Sequence, residues 1–129
     1  MKRPYEAIDV AKYIITKCTR DGHPISNLQL QKLLYILQKE FLQRDQKCLF
    51  SDDFEAWAFG PNIPNVYYYF CGFGSMPIQA EYDISLNQED TKIIDSIVER
   101  KRNLKPWDLL SETQNGAWNV VYQKGEQNV

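Results

Sequence analysis

Apolar residues recur at steps of three and four along the first twenty positions. Tyr5, Ile8, Ala11, Ile15 and Cys18, with Ile14 beside them, trace one stripe, which predicts a helix over about residues 5–20. Asp21-Gly22 supplies the stop, because glycine tolerates the left-handed backbone that closes a helix, and Pro24 prevents continuation. A second helix starts more sharply. Ser26 suits an N-cap, Gln29 three positions on completes a capping box, and Ile25 ahead of the cap can staple to Leu30. Leu30, Leu33, Leu34, Leu37, Phe41 and Leu42 form a wide apolar stripe, with Gln31, Lys32, Lys39 and Arg44 mostly off it; the helix should end near Asp45. The two helices are expected to pair antiparallel around one core.

The period then changes. Phe54, Ala56 and Ala58 alternate with Glu55, Trp57 and Phe59, which predicts a short strand that Gly60-Pro61 should end. Pro64 fits the first turn of a helix running to about Phe70, where its missing amide costs little. Cys71 to Ser75 reads as a turn, and Pro77 to Asp83 alternates weakly, as if to pair with the first strand. From Ser85 a helical pattern returns on Leu86, Ile93, Ile94, Ile97 and Val98, capped by Asn87 or Ser85. A last helix is expected from Asn103, with Pro106 near its start and Leu109 and Leu110 continuing it, then a turn at Asn115 to Trp118. The expected fold is α+β and mostly helical: about five helices forming the core, with a two- or three-stranded antiparallel sheet, in one domain over 1–129.

Length agrees, since 129 residues suffice for a single cooperative core. A net charge of −2 argues against a broad electrostatic grip on nucleic acid. The basic group Arg100, Lys101, Arg102 and Lys105 reads as a helix end whose cations oppose the dipole. No apolar run approaches the ~20 residues of a membrane-spanning helix, and no signal peptide is expected after Met1-Lys2-Arg3. The three cysteines, Cys18, Cys48 and Cys71, are odd in number and widely spaced, which fits reduced thiols and a cytoplasmic location.

Candidate chemistry is sparse. His23, the single histidine, follows Cys18 by five positions, but no second histidine or cysteine pair completes a metal site, and the plainer expectation is a surface histidine in a turn. Glu89 and Asp90 suit a helix start, and Asp52 and Asp53 suit a turn. Phosphate-binding glycine loops and serine elbows are absent. No catalytic residue, cofactor or metal is expected, and an enzyme built on Cys18 and His23, or on a carboxylate pair, is the weaker alternative.

The strongest constellation is aromatic: Trp57, Phe59, Tyr67, Tyr68, Tyr69, Phe70 and Phe73. About two-thirds of these rings are expected to close the core, the remainder forming a patch that Pro61 and Pro64 hold rigid. Three successive tyrosines cannot all face inward on one helix, so one or two rings should be exposed. Trp57, Phe59, Pro61, Pro64, Tyr67 and Tyr68 are the candidate partner-binding residues of a non-enzymatic protein-binding module.

Ile25-Ser26-Asn27-Leu28-Gln29-Leu30-Gln31-Lys32-Leu33-Leu34-Tyr35 together with Ala56-Trp57-Ala58-Phe59-Gly60-Pro61, Pro64, Val66 and Tyr67 resembles the SocA-like, or Panacea, antitoxin domain. Ala7 to Ile14 and Ser111 to Trp118 extend the likeness over most of the chain, in order. Gln114 stands near a position where the family commonly carries histidine, and the further helix common in the family has no counterpart after Tyr122. The resemblance implies a cytoplasmic antitoxin that neutralises a co-encoded toxin, by direct binding or as an adaptor to a Clp-type protease. The alternatives are a phage-encoded inhibitor of another host protein, or a DNA-binding regulator using the first two helices, which the acidic balance disfavours.

Overall fold

The computed structural model describes residues 2–105 and Asp108. Its elements run α1 (Ala7–Arg20), α2 (Asn27–Asp45), β1 (Glu55–Trp57), β2 (Gly60–Asn62), α3 (Pro64–Tyr69), a 3-10 turn over Cys71–Phe73, and α4 (Gln88–Lys101). The fold is α+β and mostly helical. Four α-helices stand among the described residues, one short of the five expected; the helix expected from Asn103 and the turn at Asn115 to Trp118 lie largely outside them.

α2 is the central element. It packs against α1, α4 and β2, and Leu30, Leu33, Leu34, Leu37 and Phe41 are fully buried. Its start is the capping box expected from sequence: the Gln29 amide donates to Ser26 Oγ at 3.2 Å and the Ser26 amide to Gln29 Oε1 at 3.0 Å. Two expectations for this helix fail. Gln31 and Lys32, placed off the apolar stripe, are buried, whereas Leu42, placed on it, is exposed. The cause is that α2 has neighbours on more than one side, so its buried surface is wider than a single stripe.

Helix α1 begins at Ala7, later than expected, because Tyr5 lies in an extended stretch bridging Phe50 in parallel. The Tyr5 amide donates to the Leu49 carbonyl at 2.9 Å, and the Ser51 amide to the Tyr5 carbonyl at 3.0 Å. Glu6, the N-cap, makes no side-chain cap; Asp52 supplies one from across the fold, its Oδ1 accepting the Ala7 N–H at 2.9 Å. Asp52 is therefore more than a turn residue. Gln38 completes the same junction, accepting from the Leu49 and Phe50 amides and donating to the Phe50 carbonyl.

Among the described residues the sheet has two strands. Glu55, Ala56 and Trp57 pair antiparallel with Asn62, Pro61 and Gly60. Gly60-Pro61, expected to end a single strand, instead turns the chain back: Gly60 sits at φ 113, a conformation open to glycine, and Pro61 occupies an edge strand. The weakly alternating segment after Pro77 does not join this sheet. It lies along α1, where Thr19 Oγ1 accepts the Ala80 N–H at 3.2 Å and Thr16 Oγ1 the Tyr82 N–H at 2.9 Å, while Ile78 bridges Ile25 antiparallel. Two threonine hydroxyls do the work of a partner strand.

α4 is tied to the N-terminal half by charge. Asn87 caps it, accepting the Glu89 N–H at 2.9 Å. Asp90 is buried, receives the Tyr5 hydroxyl at 2.5 Å and faces the Arg3 guanidinium at 3.2 Å, a cross-fold role beyond that of a dipole partner. Tyr13 donates to Asp95 at 2.6 Å, Lys17 meets Glu99 at 2.8 Å, and Arg102 at the helix end meets Asp21 at 2.7 Å.

A candidate partner-binding face

The candidate face is built where α2, the β1–β2 hairpin and α3 meet. Pro64 opens α3, so its absent amide falls among the unpaired donors of a first turn. Six residues of helix then carry three tyrosines, which divide. Tyr67 and Tyr68 turn towards the hairpin; Tyr69 turns away, stacking near Phe70 and Tyr82 with the Lys12 ammonium 5.0 Å above its ring.

On the hairpin side four rings form one layer. The Trp57 centroid lies 5.7 Å from Phe59, 5.1 Å from Tyr67 and 6.0 Å from Tyr68, and Phe59 stacks on Tyr67 at 5.9 Å. The Trp57 indole donates to Glu55 Oε1 at 3.0 Å, fixing its rotation. Trp57, Phe59 and Tyr67 are half-buried, and Tyr68 is 61% exposed. Such edge-on and offset packing adds about 0.5–1.5 kcal/mol per pair beyond burial, so these rings order one another at the surface.

Fewer of the seven sequence-selected aromatics close the core than expected. Phe70 alone is fully buried; Tyr68, Tyr69 and Phe73 are exposed and the other three half-buried. The core beneath is already filled by Leu30, Leu34, Leu37, Phe41, Phe50 and Ile63, and Phe54 closes it against Tyr35 and Phe50. Of the six candidate residues, Trp57, Phe59, Tyr67 and Tyr68 come together. Pro61 is buried in β2, and Pro64 is half-buried at the start of α3, so these two shape the backbone beneath the rings.

Sequence reasoning missed the polar layer that carries the face. Gln31 Oε1 accepts the Ile63 N–H at 2.9 Å, and its Nε2 donates to Asn27 Oδ1 at 3.3 Å; Asn27 Nδ2 in turn donates to the Tyr67 carbonyl at 3.0 Å. Lys32, 1% exposed, reaches the Pro61 carbonyl at 3.4 Å and lies 5.1 Å from the Phe59 centroid. Burial pulls its pKa down to about 8 from an ordinary 10.5. The polar residues of Leu-Gln-Lys-Leu-Leu-Tyr thus hold the hairpin of Ala-Trp-Ala-Phe-Gly-Pro on α2. Two adjacent polar residues inside an apolar helix stripe were the available signal.

The remaining candidate chemistry is dispersed. His23 Nε2 lies 2.6 Å from Asn103 Oδ1, and Cys18 is buried beside Arg102. Burial raises the Cys18 thiol pKa, against the smaller opposing effect of Arg102, which keeps it a poor nucleophile. Among the described residues no group of three His, Cys, Asp or Glu could hold a metal ion, and no helix is long and apolar enough to cross a membrane.

Comparison with known proteins agrees with the motifs that meet at this face. The family model for the antitoxin SocA-like, Panacea domain matches residues 30–119. Antitoxin SocA of Caulobacter vibrioides (strain NA1000 / CB15N) is 44% identical over 69 residues, which cover 54% of this chain and 37% of that protein. The match therefore spans little more than a third of the curated relative's length. No solved structure matches. With most of its length matched by that model, including the α2 motif and the aromatic hairpin, the chain belongs to the antitoxin SocA-like, Panacea domain family.

Proposed function

We propose that this protein is a non-enzymatic antitoxin that neutralises a co-encoded toxin by contact through the face formed by Trp57, Phe59, Tyr67 and Tyr68. One observation carries the proposal: four rings ordered by each other, with Tyr68 61% exposed at their edge. Rigid aromatics lose little rotamer freedom on binding and are over-represented among residues that dominate interface energy. Family membership and the likeness to a protein named Antitoxin SocA support a toxin as the partner. The site of action is the cytoplasm. Neutralisation proceeds by occlusion or by delivery of the toxin to a Clp-type protease.

Co-expression with the product of the adjacent gene tests this. Wild-type protein should rescue growth and co-purify with that product. Trp57→Ala with Tyr68→Ala should weaken the complex by roughly 30-fold or more, the effect of losing about 2 kcal/mol at a central anchor, measured below the variant's lowered thermal midpoint, where an unchanged far-ultraviolet circular dichroism spectrum shows that it is still folded. Toxin levels in cells lacking the protease separate the two routes: unchanged rescue there favours occlusion. A double variant that binds and rescues like wild type refutes the face.

A further inference from the structure

Lys32, under the Phe59 ring, and Asn62, at the end of β2, have unmet hydrogen-bonding capacity among the described residues. Lys32 is 1% exposed and carries three donors, and its one hydrogen bond among the described residues is the 3.4 Å contact with the Pro61 carbonyl. No carboxylate among the described residues pairs with it; burial alone accounts for its depressed pKa. Asn62, the next residue after Pro61, is 0% exposed, and among the described residues neither its Oδ1 nor its Nδ2 has a hydrogen-bond partner. A buried cation without a counter-ion and a buried carboxamide without a partner are each costly, and both demand an explanation at neighbouring positions.

Phe59 links Lys32 to the surface. Its ring covers the Lys32 ammonium at 5.1 Å, and the same residue lines an open cleft of about 370 Å³ with Ser26, Asn27, Tyr67 and Ser75. Phe59 is carried on the two-residue turn Ala58-Phe59 between β1 and β2 and is half-buried. The one ring thus stands against both the cleft and the buried ammonium.

We propose that Lys32 and Asn62 form a recessed subsite for an acidic side chain of the protein partner, which enters through the cleft and displaces the Phe59 ring. An aspartate or glutamate carboxylate complements both groups: its oxygens accept from the Lys32 ammonium and from Asn62 Nδ2. The charge-assisted bonds so formed are about twice as strong as neutral ones. The ring that gives up its cation–π contact joins the aromatic layer already offered to the partner. This subsite rests on the contact function proposed above and adds a chemical requirement to it: the partner presents an acidic residue beside its apolar contact.

The test is a titration of full-length protein, labelled at lysine methylenes, with N-acetyl-aspartate N-methylamide. The Lys32 Cε resonance, assigned by its loss in Lys32→Met, should move saturably. The neutral asparagine analogue should not move it. Phe59→Ala should tighten binding several-fold by removing the ring from the path, and Asn62→Ala should weaken it several-fold. No saturable movement, or equal movement with the asparagine analogue, overturns the proposal. Equal affinity for acetate overturns the assignment to a polypeptide side chain, leaving an adventitious ion only. Growth rescue distinguishes the two levels: rescue lost in Trp57→Ala/Tyr68→Ala but intact in Lys32→Met rejects the subsite and keeps the contact face, whereas rescue intact in both rejects the face as well.

Discussion

Replacing Lys32 by methionine should make the protein more stable at neutral pH and remove a pH dependence that the wild type has. The ammonium titrates near 8 in the fold and near 10.5 when exposed. At pH 7 both states are protonated, and the folded state carries the full penalty, about 3 kcal/mol at 1.36 kcal/mol per pKa unit. Methionine keeps an unbranched apolar side chain and removes the charge. The variant loses a cation–π contact of about 0.5–2 kcal/mol and one long hydrogen bond, so a net gain of about 1–2 kcal/mol is expected at pH 7. The sign of the pH effect follows from proton counts. Between about pH 8 and 10.5 the unfolded chain binds more protons at this site than the folded one, so wild-type stability rises with pH. Integrated from pH 7 to pH 9 the rise is about 1 kcal/mol, and Lys32→Met lacks it. Tyr5 and Tyr35, both pushed up to about 12 by burial first of all, contribute stability that is lost only as pH climbs past the ordinary tyrosine value of 10. They lie outside the window, and they cancel in the comparison. Urea unfolding of both proteins at pH 7 and pH 9, at one ionic strength, measures the difference. Equal pH slopes, or a variant several kcal/mol less stable at pH 7, would show that the ammonium is well paired and refute the reasoning.

Three further outcomes follow from named contacts. Tyr5→Phe removes the hydroxyl that donates to buried Asp90 and accepts the Asn87 N–H at 3.1 Å, and should cost about 1–3 kcal/mol, read as a lower urea midpoint with unchanged slope. Gln31→Ala leaves the Ile63 N–H without its acceptor; it should destabilise by about 1–3 kcal/mol and speed amide exchange at Ile63 well before α1 amides are affected. Ser26→Ala should cost about 1 kcal/mol through loss of the cap on α2, seen as a drop in thermal midpoint, and Ser26→Asp should restore most of it.

The cost carried at Lys32 and Asn62 has a plain functional sense. A well-packed apolar pair at these positions would hold the hairpin on α2 with less penalty. Under the proposed contact function, Lys32 beneath the Phe59 ring and Asn62, which follows Pro61 in the chain, are donors kept ready for the partner. Stability given up close to a binding face is what selection for binding tolerates.

Short-range chemistry in the sequence determined the elements that depend on it. Ser26 and Gln29 set the start of α2, Pro64 the start of α3 and Asn87 the start of α4, because capping and proline geometry involve residues within a single turn. Three consecutive tyrosines on one short helix likewise required exposed rings, and Tyr68 and Tyr69 are exposed. Contacts between distant positions were not legible in this way. Period-counting placed Gln31 and Lys32 outside the core and Leu42 within it, since a stripe records one buried side and α2 has several. It read Gly60-Pro61 as an end when it is a return, and Pro77 to Asp83 as a strand partner when α1 threonines meet its amides. The Asp52 cap on α1, the Tyr5–Asp90–Arg3 link and the Lys32–Phe59 contact each join residues from 27 to 87 positions apart. Tertiary structure alone decided these, because burial of a polar group is set by what the rest of the chain packs around it.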